Sequence, residues 1–378
     1  MNVVITFETV VLAVFVLYAL AVAVQLFFYL FIFSRVAWRT GTLRPEQEEA
    51  VSVVICGRDE ANRFRQNLPL ILEQDYPAFE VVVVDDCSDD DTDLVLAGLK
   101  EKYPHLIYTT IRKDEKFRHG KKLALTIGIK AAKNDILLLT DADCTPASNQ
   151  WIRNMVGHFT PTTEFVLGYG GYQPARGFLN TMIRLDTLFI AMQYLGYALA
   201  GRPYMGVGRN LAYRRSTFFN HRGFANHSHI DSGDDDLFVN HHAVKANTRV
   251  ALQPESHTRS EAEKTVSAWF RQKRRHLTSA WYYKPSTRFL LIIEPLSRYI
   301  VYAAFVILLI WQAYLIPVLA LFAARLFITL WIFKITATRL KEKNLFILYP
   351  LVYEIGMPLI NLTLVFMNLV ASKKHRWK

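Results

Sequence analysis

Aspartates and cations recur in the middle of this chain at spacings that could support phosphate and metal chemistry. Three aspartate groups, Asp85-Asp86, Asp141-Ala142-Asp143 and Asp234-Asp235-Asp236, precede the basic run Lys273-Arg274-Arg275. Carboxylate oxygens bind hard cations such as Mg²⁺ or Mn²⁺, and arginine binds phosphate oxygens in a bidentate manner. A carboxyl group with like-charged neighbours also has the raised pKa that a general base needs near neutral pH. The groups predict a site that holds a metal-bound diphosphate and deprotonates a nucleophile.

The elements before these groups predict an α/β domain over residues 51–283. Aliphatic runs typical of strands occupy residues 51–55, 81–84 and 136–139, and helix-like stretches lie near 66–74, 91–100 and 121–133. This alternation is typical of a mixed, mainly parallel sheet wound on both faces by helices. Ligands of such sheets bind beyond the carboxyl ends of the strands, and Asp85, Asp86, Asp141 and Asp143 fall there.

Residues 10–33 form an apolar run that only Gln25 interrupts. A helix of this length extends about 36 Å, which is enough to cross a hydrocarbon core. A signal peptide is the alternative, but no Lys or Arg precedes the run and no small-x-small cleavage site follows it. The run therefore predicts an N-terminal transmembrane helix.

A C-terminal membrane region with two or three spans is expected over residues 289–371. Its first part, residues 299–333, is too long for one span and predicts a hairpin near Trp311 to Tyr314. Its last part carries Glu354 and Pro358, so it is either a third span or a re-entrant element. Arginines just after the first span place the middle of the chain in the cytoplasm of an integral, bacterial-type inner-membrane protein. Basic residues at both 339–343 and 373–378 conflict with that rule, because one span separates them.

The net charge of +11 raises the alternatives of nucleic-acid binding and membrane binding. Much of the excess lies beside apolar spans, and the soluble part lacks basic residues interleaved with aromatic ones, so we expect membrane lipids and no nucleic acid as partners. The three cysteines lack C-x-x-C spacing and predict neither a disulfide framework nor a zinc site.

Four blocks in fixed order resemble those of the family 2 glycosyltransferases. They are Val84-Asp85-Asp86-Cys87-Ser88, Thr140-Asp141-Ala142-Asp143, Gly233-Asp234-Asp235-Asp236 and Gln272-Lys273-Arg274-Arg275-His276. The resemblance implies a GT-A-like nucleotide-sugar-binding fold and an inverting, metal-dependent hexosyl transfer. It implies a nucleotide-sugar donor, a lipid or lipid-linked glycan acceptor, and Mg²⁺ or Mn²⁺ as cofactor.

The resemblance also assigns expected roles on the donor side. Asp85 and Asp86 correspond to residues that contact the base and ribose of the donor. Lys121, with Lys122 as the alternative, corresponds to the lysine that approaches the donor. Asp141 and Asp143 correspond to the metal ligands, and Asp141 also faces the donor.

The remaining blocks correspond to the catalytic base and to a leaving-group clamp. By position the base is Asp235, while Gln272 and Arg275 bind the acceptor or the diphosphate. His276 stands where the family has a tryptophan. The segment 206–215 resembles a glycine-rich strand on the acceptor side.

Each block alone has a simpler explanation. Asp85 or Asp86 could cap the helix expected near Asp89, the D-x-D tripeptide could be a surface turn, and Asp234 and Asp236 could decorate a helix N-terminus. The basic run could be juxtamembrane charge, and the small residues of segment 206–215 could form a tight turn. A dinucleotide fold is disfavoured, because Cys56-Gly57-Arg58-Asp59-Glu60 lacks the G-x-G-x-x-G pattern.

Two further segments are less informative. Residues 178–200 predict a helix that is either buried or at the membrane interface. Five histidines have no zinc-motif spacing and are expected in a polar loop near the site: His221, His227, His229, His241 and His242.

These features predict transfer of a single sugar, with a UDP-sugar expected by family frequency. The alternative within the enzyme class is a processive polysaccharide synthase, which His276 and the few C-terminal spans disfavour. A membrane scaffold that retains the fold is the non-enzyme alternative. It would require damaged motifs, and only the tryptophan position differs.

Overall fold

The computed structural model of the chain describes residues 6–39, 48–113, 120–228, 230, 232–343, 345 and 348–370. His229, most of the expected linker at 40–49 and the basic residues at 373–378 lie outside them. The described residues comprise an N-terminal helix, an α/β domain and three C-terminal helices.

Two sheets form the α/β domain. Their strands are β1 (Val51–Gly57), β2 (Phe79–Asp86), β3 (Leu106–Ile111), β4 (Ile136–Asp141), β5 (Cys144–Pro146), β6 (Phe165–Leu167), β7 (Gly170–Tyr172), β8 (Leu211–Arg214), β9 (Thr248–Val250) and β10 (Thr258–Ser260). The larger sheet has the order β3-β2-β1-β4-β8-β6-β9, and the smaller one β5-β10-β7. Strands β1 to β4 are parallel to their neighbours within this set, and β8 is antiparallel to β4 and β6. The prediction of a mixed, mainly parallel sheet is confirmed.

Strands β1, β2 and β4 lie at the aliphatic runs of the sequence. Helices cover both faces of the sheet, so these strands bury apolar side chains on both sides. Strand β1 is buried along its whole length, as expected of a strand that is covered on both sides. A Cβ on Gly128 would lie 2.7 Å from Val54 Cγ1 and 3.1 Å from Val84 Cγ2. The glycine therefore lets its helix pack directly on the sheet.

The helices of the domain are α3 (Ala61–Leu72), α4 (Thr92–Lys102), α5 (Lys121–Ala131), α6 (Trp151–Val156), α7 (Phe178–Leu199), α8 (Arg215–Asn220), α9 (Asp236–His242) and α10 (Val266–Ser279). Helix α3 begins five residues before the expected residue 66. Its first turn is capped from a distant loop, since Asp90 Oδ2 accepts from Ala61 N at 3.1 Å and Thr92 Oγ1 accepts from Glu60 N at 3.2 Å. Because the capping residues lie about 30 residues further along the chain, the local sequence pattern could not predict where α3 begins.

Four helices are long and apolar enough to cross a membrane. The first comprises α1 (Phe7–Phe27), a π-helical segment at Phe28–Phe33 and α2 (Ser34–Trp38), so it extends beyond the expected residues 10–33. The others are α11 (Pro285–Ile310), α12 (Leu315–Arg339) and α13 (Leu348–Val370). The hairpin predicted near Trp311 to Tyr314 is present, and the last apolar stretch is a helix that continues through Pro358.

Polar side chains join these four helices internally. Glu354 of α13 accepts from Arg298 of α11 at 3.1 Å and pairs with Arg325 of α12. Gln25 of α1 accepts from Arg325 at 2.9 Å and donates to Ser297 Oγ at 2.7 Å. Ionisable groups in apolar surroundings require such partners, so the cluster fixes the order in which the helices pack.

Helix α7 is buried between the α/β domain and the membrane helices, which decides between the two alternatives for residues 178–200. A Cβ on Gly196 would lie 2.8 Å from Ile32 O, so this residue lets α7 approach the π-helical segment closely. Arg184 of α7 donates to Glu342 at 2.6 Å (Nη2 to Oε2). Glu342 follows α12, and it also pairs with Arg259 and accepts from Tyr169 Oη at 2.8 Å. Glu342, just after α12, therefore lies against the α/β domain.

We expect Glu342→Gln to destabilise the protein. The substitution leaves the buried guanidinium of Arg184 and the partly buried one of Arg259 without their countercharge, an effect worth about 3–5 kcal/mol. The measurement is the thermal midpoint of the detergent-solubilised full chain. Glu48→Gln is the control, because Glu48 is exposed and its pair with Arg153 is worth less than about 1 kcal/mol. Equal midpoints for both variants would contradict the role given to Glu342.

Candidate functional site

The ends of β2 and β4 bring two of the aspartate groups to one edge of the sheet. Asp85 pairs in register with Gly57, and Asp141 pairs with Cys56, so both carboxylates flank the end of β1. The third group, at the start of α9, joins them through Lys121. The Lys121 Nζ lies 2.9 Å from Asp141 Oδ1 and 3.2 Å from Asp234 Oδ2.

Asp235 is the N-cap of α9. One carboxylate oxygen accepts from Asp236 N at 2.7 Å, and the other accepts from Gly208 N at 2.6 Å. Burial and the charges of Asp234 and Asp236 raise the pKa of Asp235 to about 7 and outweigh the opposing charge of Lys121. The carboxyl group therefore exchanges a proton near neutral pH, as a general base requires.

Gly208 leaves little space for a side chain at this point. A Cβ there would lie 3.2 Å from Lys121 Nζ and 3.3 Å from Asp235 Oδ2. The close approach of its backbone to both side chains supports the expected importance of the glycine-rich segment.

The two neighbours of Asp235 have different surroundings. Burial disfavours the ionised form of Asp234, but the ammonium of Lys121 holds its pKa below the ordinary value. Asp236 accepts from Tyr283 Oη at 2.7 Å and from Ser279 Oγ, so it connects α9 to the end of α10 and the start of α11. The helix-terminus explanation thus fits Asp236, whereas Asp234 forms an ion pair.

Asp141 and Asp143 can hold a divalent cation. Ligand atoms of Asp141, Asp143 and Cys144 lie within 4.8 Å of one another. Burial and the charge of Asp141 raise the pKa of Asp143, a repulsion that a bound cation would relieve. Burial also raises the pKa of Cys144 well above the usual range, so its sulfur is a neutral thiol. The oxygen ligands fit Mg²⁺ or Mn²⁺.

Asp85 and Asp86 are buried at the end of β2. Asp85 Oδ1 accepts from Ser88 N at 3.2 Å and from the Ser88 hydroxyl. Helix α4 has Asp91 as its N-cap, so the capping explanation for Asp85 and Asp86 is wrong. Their contact with a base and ribose stays a prediction.

Of the two lysines after Gly120, Lys121 faces the aspartates. Lys122 instead donates to the backbone carbonyls of His227 and Ile230 at 2.7 and 3.0 Å. It therefore holds the loop that precedes α9. Among the described residues His221 and His242 stack at 3.9 Å between ring centroids, and the group that could hold a metal contains no histidine.

Gln272 and Arg275 both lie on α10, but among the described residues only Gln272 has a side-chain partner identified at the site. Gln272 Nε2 donates to Tyr172 Oη at 3.2 Å. Arg275 forms no ion pair with a carboxylate in the described part of the chain, and its role stays a prediction. His276 is exposed on the same helix. Lys273 pairs with Asp186 of α7 at 2.6 Å, so at least this cation of the basic run has a structural partner.

Arg209, for which the sequence predicted no individual role, lies at this site. Its guanidinium lies 4.3 Å from the centroid of the Tyr172 ring, and Nη1 donates to Ser260 Oγ at 3.3 Å. Its charge opposes the rise in the pKa of Asp143. A single arginine after a glycine carries no distinctive spacing, so the sequence offered no signal for it.

Part of the chain is similar in sequence to known glycosyltransferases. Residues 52–220 match the sequence profile described as "Glycosyl transferase family 2". The chain is 26% identical over 234 residues to the probable glycosyltransferase YdaM of Bacillus subtilis, covering 60% of this chain and 54% of that protein. It is 26% identical over 118 residues to the poly-beta-1,6-N-acetyl-D-glucosamine synthase of Staphylococcus epidermidis, covering 31% of this chain and 27% of that protein. The chain thus spans about half of the first relative and about a quarter of the second.

Among solved structures, the mannosyltransferase PcManGT from Pyrobaculum calidifontis, in complex with GDP-Man and Mn²⁺, has the same fold. The TM-score is 0.59 at 22% identity, and the match covers 95% of this chain and 99% of that one. The likeness includes the membrane helices as well as the α/β domain.

We expect Asp143→Asn to weaken Mn²⁺ binding by at least about tenfold, because it removes one anionic oxygen ligand. The measurement is the free Mn²⁺ signal in electron paramagnetic resonance titrations of the purified chain. Asp93→Asn, which changes an exposed aspartate on α4, is the matched control and should leave affinity unchanged. Unaltered binding by the Asp143 variant would remove Asp143 from the metal site.

Proposed function

We propose, on the premise that this chain carries a glycosyl transferase family 2 domain over residues 52–220, that it transfers a sugar from a nucleotide-sugar donor to a lipid or lipid-linked glycan acceptor. The profile match over residues 52–220 and the fold shared with the solved mannosyltransferase support this proposal. Glycosyltransferase activity itself is part of it. The donor, the acceptor, the metal dependence and the side of the membrane belong to the proposal.

The observation that carries the proposal is the placement of Asp235. Its carboxyl group has a pKa raised to about 7, and it lies beside the lysine that contacts Asp141. Lys121 therefore connects the proposed base, Asp235, with the proposed metal ligand Asp141. An aspartate that served only as a helix cap would have no need for this arrangement.

The proposed reaction is a single displacement with inversion. Asp235 accepts the proton of the acceptor hydroxyl while that oxygen forms a bond to the anomeric carbon. The bond from that carbon to the diphosphate oxygen breaks, and the nucleoside diphosphate leaves. When bound at Asp141 and Asp143, Mg²⁺ or Mn²⁺ supplies positive charge for the diphosphate. We assign Asp85, Asp86, Lys121, Gln272 and Arg275 to substrate binding.

A membrane-bound acceptor is supported by the short path from the site to the bilayer. Asp236 is hydrogen-bonded to Tyr283, and α11 begins two residues later at Pro285. A lipid acceptor anchored beside α11 could thus bring its hydroxyl group close to Asp235. We place this side in the cytoplasm on the basis of Arg35 and Arg39, which follow the first membrane helix.

A processive polysaccharide synthase is the second candidate. One relative is named as such a synthase, although the chain covers only 27% of it. In polymer-forming relatives a tryptophan is expected at the position of His276, and an imidazole offers less area for packing on a sugar face. We therefore favour transfer of one or a few sugars.

We expect the transfer rate to fall as pH decreases through about 7, because Asp235 accepts a proton only when ionised. Asp235→Asn should reduce transfer by about 10²–10⁴-fold and leave nucleotide affinity unchanged. The measurements are rate against pH and nucleotide binding by calorimetry. An equal loss of nucleotide affinity would make Asp235 a donor-binding residue.

We expect purified protein given excess donor to yield a short product ladder. The assay supplies a panel of labelled UDP- and GDP-sugars with membrane lipids and resolves products by mass spectrometry, with Asp235→Asn as the inactive control. His276→Trp should lengthen the ladder if this position retains the acceptor. Long polymer from the wild-type protein would favour the synthase, and no transfer from any donor would overturn the proposed function.

A further inference from the structure

A cavity of about 210 Å³ lies where the α/β domain meets the first turn of α11. It is separate from the aspartate site, since none of the aspartates assigned there lines it. The residues that matter for its chemistry are Arg202, Tyr204, Lys245, Lys284, Thr287 and Leu290. They come from the loop after α7, the segment after α9 and the start of α11.

The cavity carries positive charge without a matching carboxylate. Arg202, Lys245 and Lys284 line it, no lining residue is acidic, and no ion pair joins these cations to a described carboxylate. The stem of Lys245 is positioned by Gly201, where φ is +82° and a Cβ would lie 2.8 Å from Lys245 Cδ. A larger residue at 201 would displace this lysine.

Hydrogen-bond donors face the same space. Tyr204 is 5% exposed and lines the cavity, and its hydroxyl forms no hydrogen bond with any described residue. Ser286 and Thr287 lie in the first turn of the 26-residue helix α11, which has no side-chain cap. The N–H groups of such a turn have no intrahelical acceptor and favour an anion.

Exposed aromatic side chains flank the start of α11, where the cavity lies. Trp281, just before α11, is 62% exposed, and Phe289 in its second turn is 67% exposed. Exposed aromatic rings of this kind mark the membrane interface. Leu290 and Leu291 form the apolar part of the lining, one turn further along α11.

We propose that this cavity binds the phosphate headgroup of an anionic membrane lipid, whose acyl chains lie along α11. The cations and Tyr204 supply charge and hydrogen bonds to the phosphate, and the leucines contact the chains. Scattered surface cations would attract anionic lipid diffusely. A cavity that gathers three cations around the Tyr204 hydroxyl, which forms no hydrogen bond with a described residue, instead predicts one defined site. This inference does not depend on the transfer reaction.

The test is native mass spectrometry of the full-length protein in detergent, titrated with phosphatidylglycerol or phosphatidylcholine. We expect one phosphatidylglycerol to be retained in preference to phosphatidylcholine. The combined variant R202Q/K245Q/K284Q should bind it about tenfold more weakly or worse. The variant R65Q/K130Q/K133Q removes the same charge from the surface of the α/β domain and should bind like wild type.

Tyr204→Phe separates a built site from simple charge attraction, since it removes one hydroxyl and no charge. We expect it to weaken lipid binding by about threefold to tenfold with an unchanged thermal midpoint. Equal binding of phosphatidylcholine, or an equal loss in the control variant, would overturn the proposal. Displacement of the lipid by millimolar inorganic phosphate would instead assign the cavity to a soluble anion.

Discussion

The contact of Lys121 with Asp141 and Asp234 joins the two halves of the candidate site. One carboxylate terminates β4 and the other precedes α9, and the ammonium lies 2.9 and 3.2 Å from them. Two carboxylates so near each other, with Asp234 buried and Asp141 partly buried, would repel without this cation. Because Lys121 pairs with Asp234, the adjacent Asp235 is left with a like-charged neighbour on each side. Burial and the charges of these two neighbours raise the pKa of Asp235 and outweigh the opposing charge of Lys121.

Polar contacts also tie the α/β domain to the segments beside α11 and α12. Asp236 bonds to Tyr283 at the entrance to α11, and Glu342 after α12 pairs with Arg184 of α7. Movement of the α/β domain away from the membrane helices would separate these charges in a poorly hydrated environment. Asp235, next to Asp236, is therefore held in a defined position relative to the apolar helices.

The sequence predicted those features that arise from local patterns. Aliphatic runs located the strands, and the aspartates at their ends lie together because parallel strands end at one edge. The apolar helices and the hairpin near Trp311 were equally visible, since length and composition determine them. Features made by distant segments were not predictable. The first turn of α3 is capped by Asp90, Arg209 reaches the site by stacking on Tyr172, and Glu342 gathers Arg184 and Arg259 from separate elements.

The four carboxylates of the site differ in whether they form an ion pair, and this determines whether each can accept a proton or a metal ion. Asp141 and Asp234 share Lys121, whereas Asp143 and Asp235 form no ion pair within the described residues. Both of these unpaired carboxyl groups have raised pKa values, with burial as the first cause in each. A buried carboxylate without a countercharge must gain a proton or a cation. Asp143 lies beside Asp141 and can share a divalent cation with it. The group of ligand atoms found among the described residues does not include Asp235, so a proton is the charge that it is suited to accept.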